Sequence, residues 1–372
     1  MEAQRRGRPR LSPVLLAAGV ILVAINLRPA AASIGPVLDR IQSDTGLSSG
    51  WAGALATLPV LCFGLLAPLA PPLARRLGVH TAIAVAMIAL VAGMLVRLIG
   101  GDVFLFAGTA LAGAAIATGN VLLPVIVRRD FPDRTGSAMA LYTTSLIGFA
   151  ALSAGVTVPI ANGLGGGWRP GLGVWAIPAG IAALAWLPAF IRRAADADAP
   201  AAVRSPTVRP LLRQPLAWQV TLFFAVQSGG FYATLAWLPD IFRSHGASDS
   251  RAGFLLSLSI LVGLLTSTTL PGLATRLRDQ RWLVVACSAV WAVGLAGIML
   301  APMSAPYLWV VLLGLGQNST FPLALMLIVL RGGSLATTEG LSTLSQSVGY
   351  VLAAIFPLAV GALHGAAGSW TP

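Results

Sequence analysis

Residues 46–77 read GLSSGWAGALATLPVLCFGLLAPLAPPLARRL, and residues 246–277 read GASDSRAGFLLSLSILVGLLTSTTLPGLATRL. The two stretches align without a gap at an offset of 200 residues, and 13 of the 32 aligned pairs are identical. A chain rich in leucine and alanine gives some identities by chance, but Gly, Pro and Arg also match in register, as at Arg76 and Arg276. The sequence therefore contains an internal repeat with a long period.

The composition places this repeat in a membrane. Of 372 residues, 56% are hydrophobic and only 10% are charged, whereas a soluble domain has roughly one quarter charged residues. The apolar residues come in stretches of about 20, which is the length of a helix that spans a bilayer. We therefore predict an all-α integral membrane protein and exclude a water-soluble one.

Apolar runs bounded by Arg, Pro and Gly clusters predict eleven transmembrane helices. These lie near residues 11–37, 51–73, 79–98, 103–127, 136–160, 171–191, 215–239, 251–273, 282–301, 306–330 and 338–362. Residues 192–213, rich in proline and arginine, predict a cytoplasmic linker between a six-helix half at 1–191 and a half at 214–372 with five helices. The N-terminus could pass for a signal peptide, but ten more hydrophobic segments follow it, so we predict a first membrane helix.

The repeat relates helix two to helix eight. A second match, Asn120-x-x-x-Pro124 with Asn318-x-x-x-Pro322, has an offset of 198 residues and pairs helix four with helix ten. An offset of six helices preserves the direction of the chain through the membrane. The halves are therefore predicted to be parallel repeats related by an axis along the membrane normal, which is the plan of the major facilitator superfamily.

The distribution of charge predicts the orientation of the chain. All 24 basic residues are arginine, and the net charge is +12. If the N-terminus is cytoplasmic, 18 arginines lie on the cytoplasmic side and five lie in or near the opposite loops, which leaves Arg28 within a helix. Because arginine gathers in cytoplasmic loops, we predict a cytoplasmic N-terminus. This topology explains the positive charge without a nucleic-acid partner.

Arg28 is the strongest candidate for function. It lies in Asn26-Leu27-Arg28-Pro29, some 17 residues into the first segment. A charge at such a depth costs roughly 2.5 to 3.5 kcal/mol even on the mildest scale, and no Asp or Glu lies at a similar depth to neutralise it. The side chain could snorkel outward or bind carbonyls freed by Pro29. Alternatively, an unpaired guanidinium can bind an anionic or strongly polar substrate through its planar fork.

Other polar and aromatic side chains within the predicted helices complete the candidate site. We expect hydrogen bonds from the amides, and pocket walls from the aromatic residues. The predicted substrate-binding residues, besides Arg28, are Asn26, Asn120, Tyr142, Gln227, Phe231, Tyr232, Asn318 and Gln346. For Asn120, Tyr142, Asn318 and Gln346, an interhelical hydrogen bond worth about 0.6 kcal/mol is an equally good explanation, whereas Gln227, near the middle of its helix, is harder to explain in this way. Tyr232 could equally anchor the helix at the lipid interface.

At these positions the sequence resembles the cyanate and nitroimidazole transporters (CynX/NimT) of the major facilitator superfamily. The resemblance is carried by Asn26-Leu27-Arg28-Pro29 with Gly35-Pro36, by Gln227-Ser228-x-x-Phe231-Tyr232-x-x-x-x-Trp237-Leu238-Pro239, and more weakly by Gly119-Asn120-x-x-Leu123-Pro124 and Gly368-Ser369-Trp370. It implies a multi-pass transporter of the bacterial cytoplasmic membrane for a small, compact, polar or anionic solute.

The sequence departs from this family in two places. The family has twelve helices, and the last follows the Gly-Ser-Trp motif, near which this chain stops; we expect a truncated sequence or a natural variant. The loop Leu73-Ala74-Arg75-Arg76-Leu77-Gly78 also lacks the acidic residue that the superfamily signature has before its arginine. The cytoplasmic gate contact which that signature provides is therefore in doubt in this chain.

We conclude from the sequence that the chain is a carrier that works by alternating access, as a monomer in the lipid bilayer, without cofactor or metal. Proton coupling through a carboxylate in the middle of a helix is not evident. The alternative function is multidrug efflux through a broad hydrophobic pocket, which predicts inhibition by bulky lipophilic cations. An enzyme is not expected, because the three histidines are dispersed and no Cys/His cluster has metal-ligand spacing. A channel is not expected, because no helix has a polar stripe long enough to line a pore.

Overall fold

A computed structural model describes residues 13–165, 167–195, 208–357, 359–360, 363 and 370. The four arginines before residue 12, most of the predicted linker and the Gly-Ser pair before Trp370 lie outside the described residues. The described part of the chain consists of helices joined by turns and short loops, with no strand. The predicted all-α class is confirmed.

The first repeat contains ten of the helices. In chain order these are α1 Pro13–Ala24, α2 Pro29–Ala32, α3 Leu38–Thr45, α4 Ser49–Leu66, α5 Ala70–Leu77, α6 Val79–Val96, α7 Asp102–Asp130, α8 Thr135–Gly163, α9 Trp168–Gly173 and α10 Ala176–Ala195. Single 3-10 turns lie at Gly35–Val37, Ala67–Leu69 and Pro132–Arg134.

The second repeat continues with fewer and longer helices. These are α12 Pro215–Ser244, α13 Asp249–Arg276, α14 Arg281–Leu300, α15 Pro306–Arg331 and α16 Leu335–Ala353, and the short α11 Val208–Leu211 before them lies in the predicted linker. Each of the eleven predicted segments therefore coincides with a helix or with a run of consecutive helices. The division of the chain into halves at 192–213 stays a prediction, because residues 196–207 lie outside the described part.

The first predicted segment is broken where the sequence predicted one continuous helix. Residues 25–28 form turns between α1 and α2. Pro29 has no N–H to donate to the carbonyl four residues before it, so the helical ladder stops there and restarts after the proline. The chain resumes when the amides of Ala31 and Ala32 donate to the carbonyl of Arg28, at 3.0 and 2.8 Å. Arg28 therefore lies at the break itself.

The packing of the helices follows the repeat. In the first repeat α7 packs against both α4 and α6, and in the second repeat α15 packs against both α13 and α14. The contacts between repeats are also paired, because α8 packs on α13 and α16 packs on α4. Helices at equivalent positions thus have equivalent neighbours, which agrees with two parallel repeats.

Nine helical segments among the described residues are long and apolar enough to cross a membrane, and α12 and α16 are not among them. These two helices pack against each other and have many buried polar side chains. On α16 alone seven are fully or almost fully buried, namely Thr338, Glu339, Ser342, Thr343, Ser345, Gln346 and Tyr350. The buried polar groups lower the hydropathy of these helices. The nine segments become the eleven predicted crossings only if α12 and α16, which are 30 and 19 residues long, also cross the membrane.

Candidate functional site

Arg28 links the break in the first repeat to the second repeat. Its Nη1 donates to the hydroxyl of Tyr232 on α12 at 3.1 Å, and its Nη2 lies 3.5 Å from the hydroxyl of Tyr350 on α16. Its Cζ lies 5.3 Å from the ring centroid of Phe321 on α15. Three helices of the second repeat therefore contribute to the environment of one guanidinium.

No carboxylate neutralises this guanidinium. Among the ion pairs of the described residues, none includes Arg28. Its contacts are two neutral hydroxyls and an aromatic face, on a side chain that is partly buried. A hydroxyl and a ring face attract a cation without cancelling its charge. The site therefore has a net positive charge, which favours an anionic or strongly polar ligand.

Aromatic rings surround Tyr350. Its ring centroid lies 5.5 Å from that of Phe63 on α4 and 5.0 Å from that of Phe224 on α12, both in edge-to-face geometry. Phe224 lies 6.3 Å from Phe321. All but Phe321 are fully buried. These rings fix the Tyr350 hydroxyl and give the site rigid walls, so a compact ligand fits it better than a flexible one.

Two predicted residues contribute polar atoms that lack a partner. Tyr142 on α8 is fully buried, and its hydroxyl has no hydrogen bond within the described chain, although it is close enough to Arg28 and Tyr350 to interact electrostatically. Asn120 on α7 is 2% exposed, and neither atom of its amide is bonded. An unsatisfied buried polar group costs about 1–3 kcal/mol. Ligand or water contacts would remove that cost.

Phe231 and Tyr232 both lie on α12 and are partly buried. Their ring centroids are 5.5 Å apart, with the rings at 76° to each other. Tyr232 bonds Arg28, so Phe231 lies next to the site and packs against one of its hydrogen-bonding residues. Both positions agree with the predicted pocket wall.

The remaining predicted amides are engaged in hydrogen bonds within the protein. Asn26 donates to the carbonyls of Leu22 and Pro178, at 2.7 and 3.1 Å, and so ties α1 to α10. Asn318 donates to the carbonyls of Ser259 and Gly314, at 2.7 and 3.1 Å. For these two residues a role in binding stays a prediction, and the observed contacts are structural.

Gln227 and Gln346 are also buried and bonded. The amide nitrogen of Gln227 donates to the Phe224 carbonyl and to the Ser228 hydroxyl, both on its own helix. The amide nitrogen of Gln346 donates to the backbone carbonyl of Asn120 at 2.8 Å and thereby joins α16 of the second repeat to α7 of the first. Gln346 thus borders the unbonded Asn120 amide, whereas Gln227 mainly stabilises α12.

The sequence did not predict Tyr350 or Phe321 as site residues. The chain has only four tyrosines, and three of them, Tyr142, Tyr232 and Tyr350, lie around Arg28. Tyr350 follows Gln346 by four residues and so lies on the same face of the helix. That spacing was a usable signal. Phe321 has no comparable signal, because a phenylalanine within an apolar helix is equally expected to face lipid.

The two repeats are in contact at the ends that are cytoplasmic if the N-terminus is cytoplasmic, as predicted. Arg128, in the last turn of α7, donates to the backbone carbonyls of Val329 and Gly333 at the end of α15, the second at 2.6 Å. Ser342 on α16 donates to the Val121 carbonyl on α7 at 3.0 Å. These hydrogen bonds join the two repeats at this end of the molecule.

Comparisons with a family model and with known proteins all point to membrane transporters. The model of the Major Facilitator Superfamily matches residues 15–354. The "Uncharacterized transporter YycB" of Bacillus subtilis (strain 168) is 40% identical over 357 residues, which cover 96% of this chain and 88% of that protein. The "2-nitroimidazole transporter" of Escherichia coli (strain K12) is 36% identical over 359 residues, with coverage of 96% and 90%. The "Cyanate transport protein CynX" of the same strain is 29% identical over 354 residues, with coverage of 94% and 90%.

Solved structures agree in fold. The E. coli fucose:proton symporter FucP has a TM-score of 0.71 at 15% sequence identity, covering 96% of this chain and 92% of that one. The proton:xylose symporter XylE has a TM-score of 0.69 at 14% identity, with coverage of 94% and 89%. At these identities the likeness concerns the architecture alone.

Proposed function

Because this chain belongs to the major facilitator superfamily, we propose that it carries a small, compact, polar or anionic solute across the bacterial cytoplasmic membrane by alternating access. It is a multi-pass membrane transporter and not an enzyme. The N-terminus is cytoplasmic in this proposal. Arg28 is the electrostatic anchor for the solute, and Tyr232 and Tyr350 orient it.

The observation that carries the proposal is the position of Arg28. It is a cation without a carboxylate partner among the described residues, and it contacts the second repeat from a break in the first. An anion bound to this guanidinium would contact both repeats at once. Movement of one repeat against the other would then change the access to the bound anion, as alternating access requires.

The two characterised relatives suggest which solutes to test first. Their names specify 2-nitroimidazole and cyanate. Both compounds are small and rigid: 2-nitroimidazole is planar, and cyanate is a linear anion. They suit a site with one guanidinium and rigid aromatic walls, and we propose them as probes rather than as the physiological substrate.

The test is uptake of 14C-labelled cyanate and 14C-labelled 2-nitroimidazole into proteoliposomes. Loss of a hydrogen bond to a charged group costs about 1.5–3 kcal/mol. The solute concentration that gives half-maximal uptake should therefore rise by at least about tenfold in Arg28→Ala. Arg278→Ala removes the same charge from an exposed loop and is the matched control. Saturable uptake by Arg28→Ala at the wild-type level would contradict the proposal.

The same assay separates this proposal from multidrug efflux. A site centred on an unpaired guanidinium repels a bulky lipophilic cation such as tetraphenylphosphonium. We therefore expect no competition by that cation. Strong inhibition by it, together with indifference to small anions, would instead favour a drug-efflux function.

A further inference from the structure

Asn120 contributes a side-chain amide that makes no hydrogen bond within the described part of the chain. It lies on α7 and is 2% exposed, and neither its Oδ1 nor its Nδ2 has a partner. Among the described residues, no other amide side chain has both of its polar atoms buried and unbonded. The matching residue of the second repeat, Asn318, makes two hydrogen bonds. The unbonded amide of Asn120 therefore does not follow from its position on the helix alone.

Asn120 adjoins the surroundings of Arg28 on two sides. The glycine before it packs so closely that a Cβ there would lie 2.6 Å from Cδ2 of Leu27, the residue that directly precedes Arg28. On the other side, Gln346 of α16 donates to the Asn120 backbone carbonyl at 2.8 Å. Tyr350, which contacts Arg28, follows Gln346 by four residues, a rise of about 6 Å. Asn120 is therefore a neighbour of residues that border Arg28 in both repeats.

The polar groups at Arg28 offer hydrogen-bond donors to a ligand. A guanidinium has N–H groups and no acceptor. The hydroxyls of Tyr232 and Tyr350 accept from it, so each can donate its own proton onward. The Tyr142 hydroxyl is unbonded and interacts electrostatically with Arg28. This side of the site therefore suits ligand atoms that accept hydrogen bonds, such as oxygens and unprotonated ring nitrogens.

The Asn120 amide offers a different pattern, a donor and an acceptor side by side in one plane. Because the amide is neutral, it distinguishes ligands by their hydrogen-bonding pattern rather than by their charge. Its complement is a planar edge on which an N–H group lies next to an acceptor. In 2-nitroimidazole the ring N–H and one nitro oxygen form such an edge, and the ring nitrogen and the second nitro oxygen form an edge that only accepts. Cyanate has no hydrogen atom, so it can only accept.

We propose that Asn120 is a specificity-determining residue, which makes this carrier prefer small planar heterocycles with an N–H group next to an acceptor over anions that only accept hydrogen bonds. One edge of the solute accepts from Arg28 and the tyrosines. The other edge pairs with Asn120, whose Oδ1 accepts from the N–H and whose Nδ2 donates to the acceptor. A solute without an N–H leaves the buried Oδ1 unpaired, which disfavours its binding. The inference rests on the proposed transport function and adds the class of solute.

The experiment measures equilibrium binding to the purified full chain in detergent by isothermal titration calorimetry. It gives the Kd for 2-nitroimidazole and for cyanate at a pH at which the imidazole ring N–H is retained. Asn120→Leu keeps the approximate size of the side chain but cannot form hydrogen bonds. We expect its Kd for 2-nitroimidazole to rise by about tenfold or more and its Kd for cyanate to stay within about twofold of wild type. Asn162→Leu, the same substitution at an exposed amide of α8, is the control and should change neither Kd.

A third compound tests the N–H group itself. 2-nitrothiazole keeps the nitro group and the ring nitrogen but has a sulfur in place of the N–H. We expect it to bind the wild type about tenfold more weakly than 2-nitroimidazole does, and to bind Asn120→Leu as it binds the wild type. Equal affinity of the wild type for the two ring compounds would overturn the inference.

The outcomes distinguish this inference from the proposed function. An unchanged ratio of the two Kd values in Asn120→Leu, or tighter binding of cyanate than of 2-nitroimidazole by the wild type, would overturn the inference and leave the transport function intact. Binding of both solutes without counterflow of either in proteoliposomes would overturn the transport function instead. A wild type that binds neither solute would overturn both. If Asn120→Leu does not fold, Asn120→Ala provides the same comparison, and an unchanged ratio would again overturn the inference.

Discussion

Arg28 and Tyr232 are 204 residues apart in the chain, yet the arginine Nη1 lies 3.1 Å from the tyrosine hydroxyl. One residue comes from a break in the first repeat, and the other from the long helix that begins the second repeat's membrane segments. The bond therefore joins the two repeats at the proposed anchor. A solute that competes for Arg28 would weaken this connection, which couples binding to the relative position of the repeats.

Removal of the Tyr232 hydroxyl should impair solute binding. Tyr232→Phe keeps the ring but removes the bond that orients the guanidinium, so we expect the KM for uptake to rise by about three- to tenfold, as for one hydrogen bond of about 1 kcal/mol. Tyr350→Phe should have a smaller effect, because its contact with Arg28 is longer, at 3.5 Å.

Tyr307→Phe is the control for these two variants, since Tyr307 is half exposed and lies on the far end of α15 against Arg251. Initial uptake rates over a range of solute concentrations would give each KM. Equal KM values for Tyr232→Phe and Tyr307→Phe would show that the hydroxyl bonded to Arg28 does not contribute to binding.

The sequence predicted the helices, the repeat and a charge at Arg28 without a carboxylate partner, because each depends on local or periodic information. Hydrophobic length predicts a membrane helix, and a charge within such a helix is costly wherever it lies. Tyr350 and Phe321 were missed because their contacts with Arg28 cross between repeats, and only the packing of α15 and α16 brings them there. The same applies to Asn26, whose interhelical bonds to α10 could not be distinguished from ligand binding by sequence.

Arg97 should be a positioning residue for the break that contains Arg28. It is fully buried, and it donates to the Ala30 carbonyl at 2.7 Å and to the Leu172 carbonyl at 3.3 Å. Arg97→Met leaves both carbonyls without this donor, so we expect a loss of about 1–3 kcal/mol in stability and a raised KM for uptake. Arg97→Lys can still donate to one carbonyl, so its KM should lie between those of Arg97→Met and the wild type.

Thermal unfolding in detergent would measure the loss of stability in Arg97→Met, and uptake kinetics would measure its KM. A merely structural arginine would lower the melting temperature and the amount of folded protein without changing KM. A normal KM in Arg97→Met would therefore restrict Arg97 to a structural role.

Arg128 should hold together the ends of the repeats that are predicted to be cytoplasmic. Its guanidinium bonds two carbonyls at the end of α15, where the helix dipole also favours a cation. Arg128→Ala removes both bonds, and we expect the open population to rise by about tenfold for a loss of about 1.4 kcal/mol.

The opening can be measured with a cysteine placed at Leu341, which is buried on α16. Cys62 and Cys287 are first replaced by alanine, and a membrane-impermeant maleimide is added to inside-out vesicles. Labelling should be faster with Arg128→Ala than with Arg129→Ala, which changes an exposed neighbour. Equal labelling rates would mean that Arg128 does not contribute to closure.

Asn120 and Asn318 occupy matching positions in the two repeats, but only the side-chain amide of Asn318 makes hydrogen bonds. The Asn318 amide makes two bonds, and Gly263 packs directly against it, whereas both Asn120 amide atoms are buried and unbonded. Asn318→Ala should therefore destabilise the protein by about 1–2 kcal/mol, from lost hydrogen bonds and lost packing. Asn120→Ala removes an unsatisfied group and should leave the melting temperature nearly unchanged, while it alters the KM for uptake.

The same two measurements on the two variants separate the roles, because a large loss of stability in Asn120→Ala with an unchanged KM would show that its amide is structural too. Since helical position is matched between the two asparagines, a difference in outcome would come from their surroundings: one repeat uses this amide for packing and the other leaves it available to a ligand.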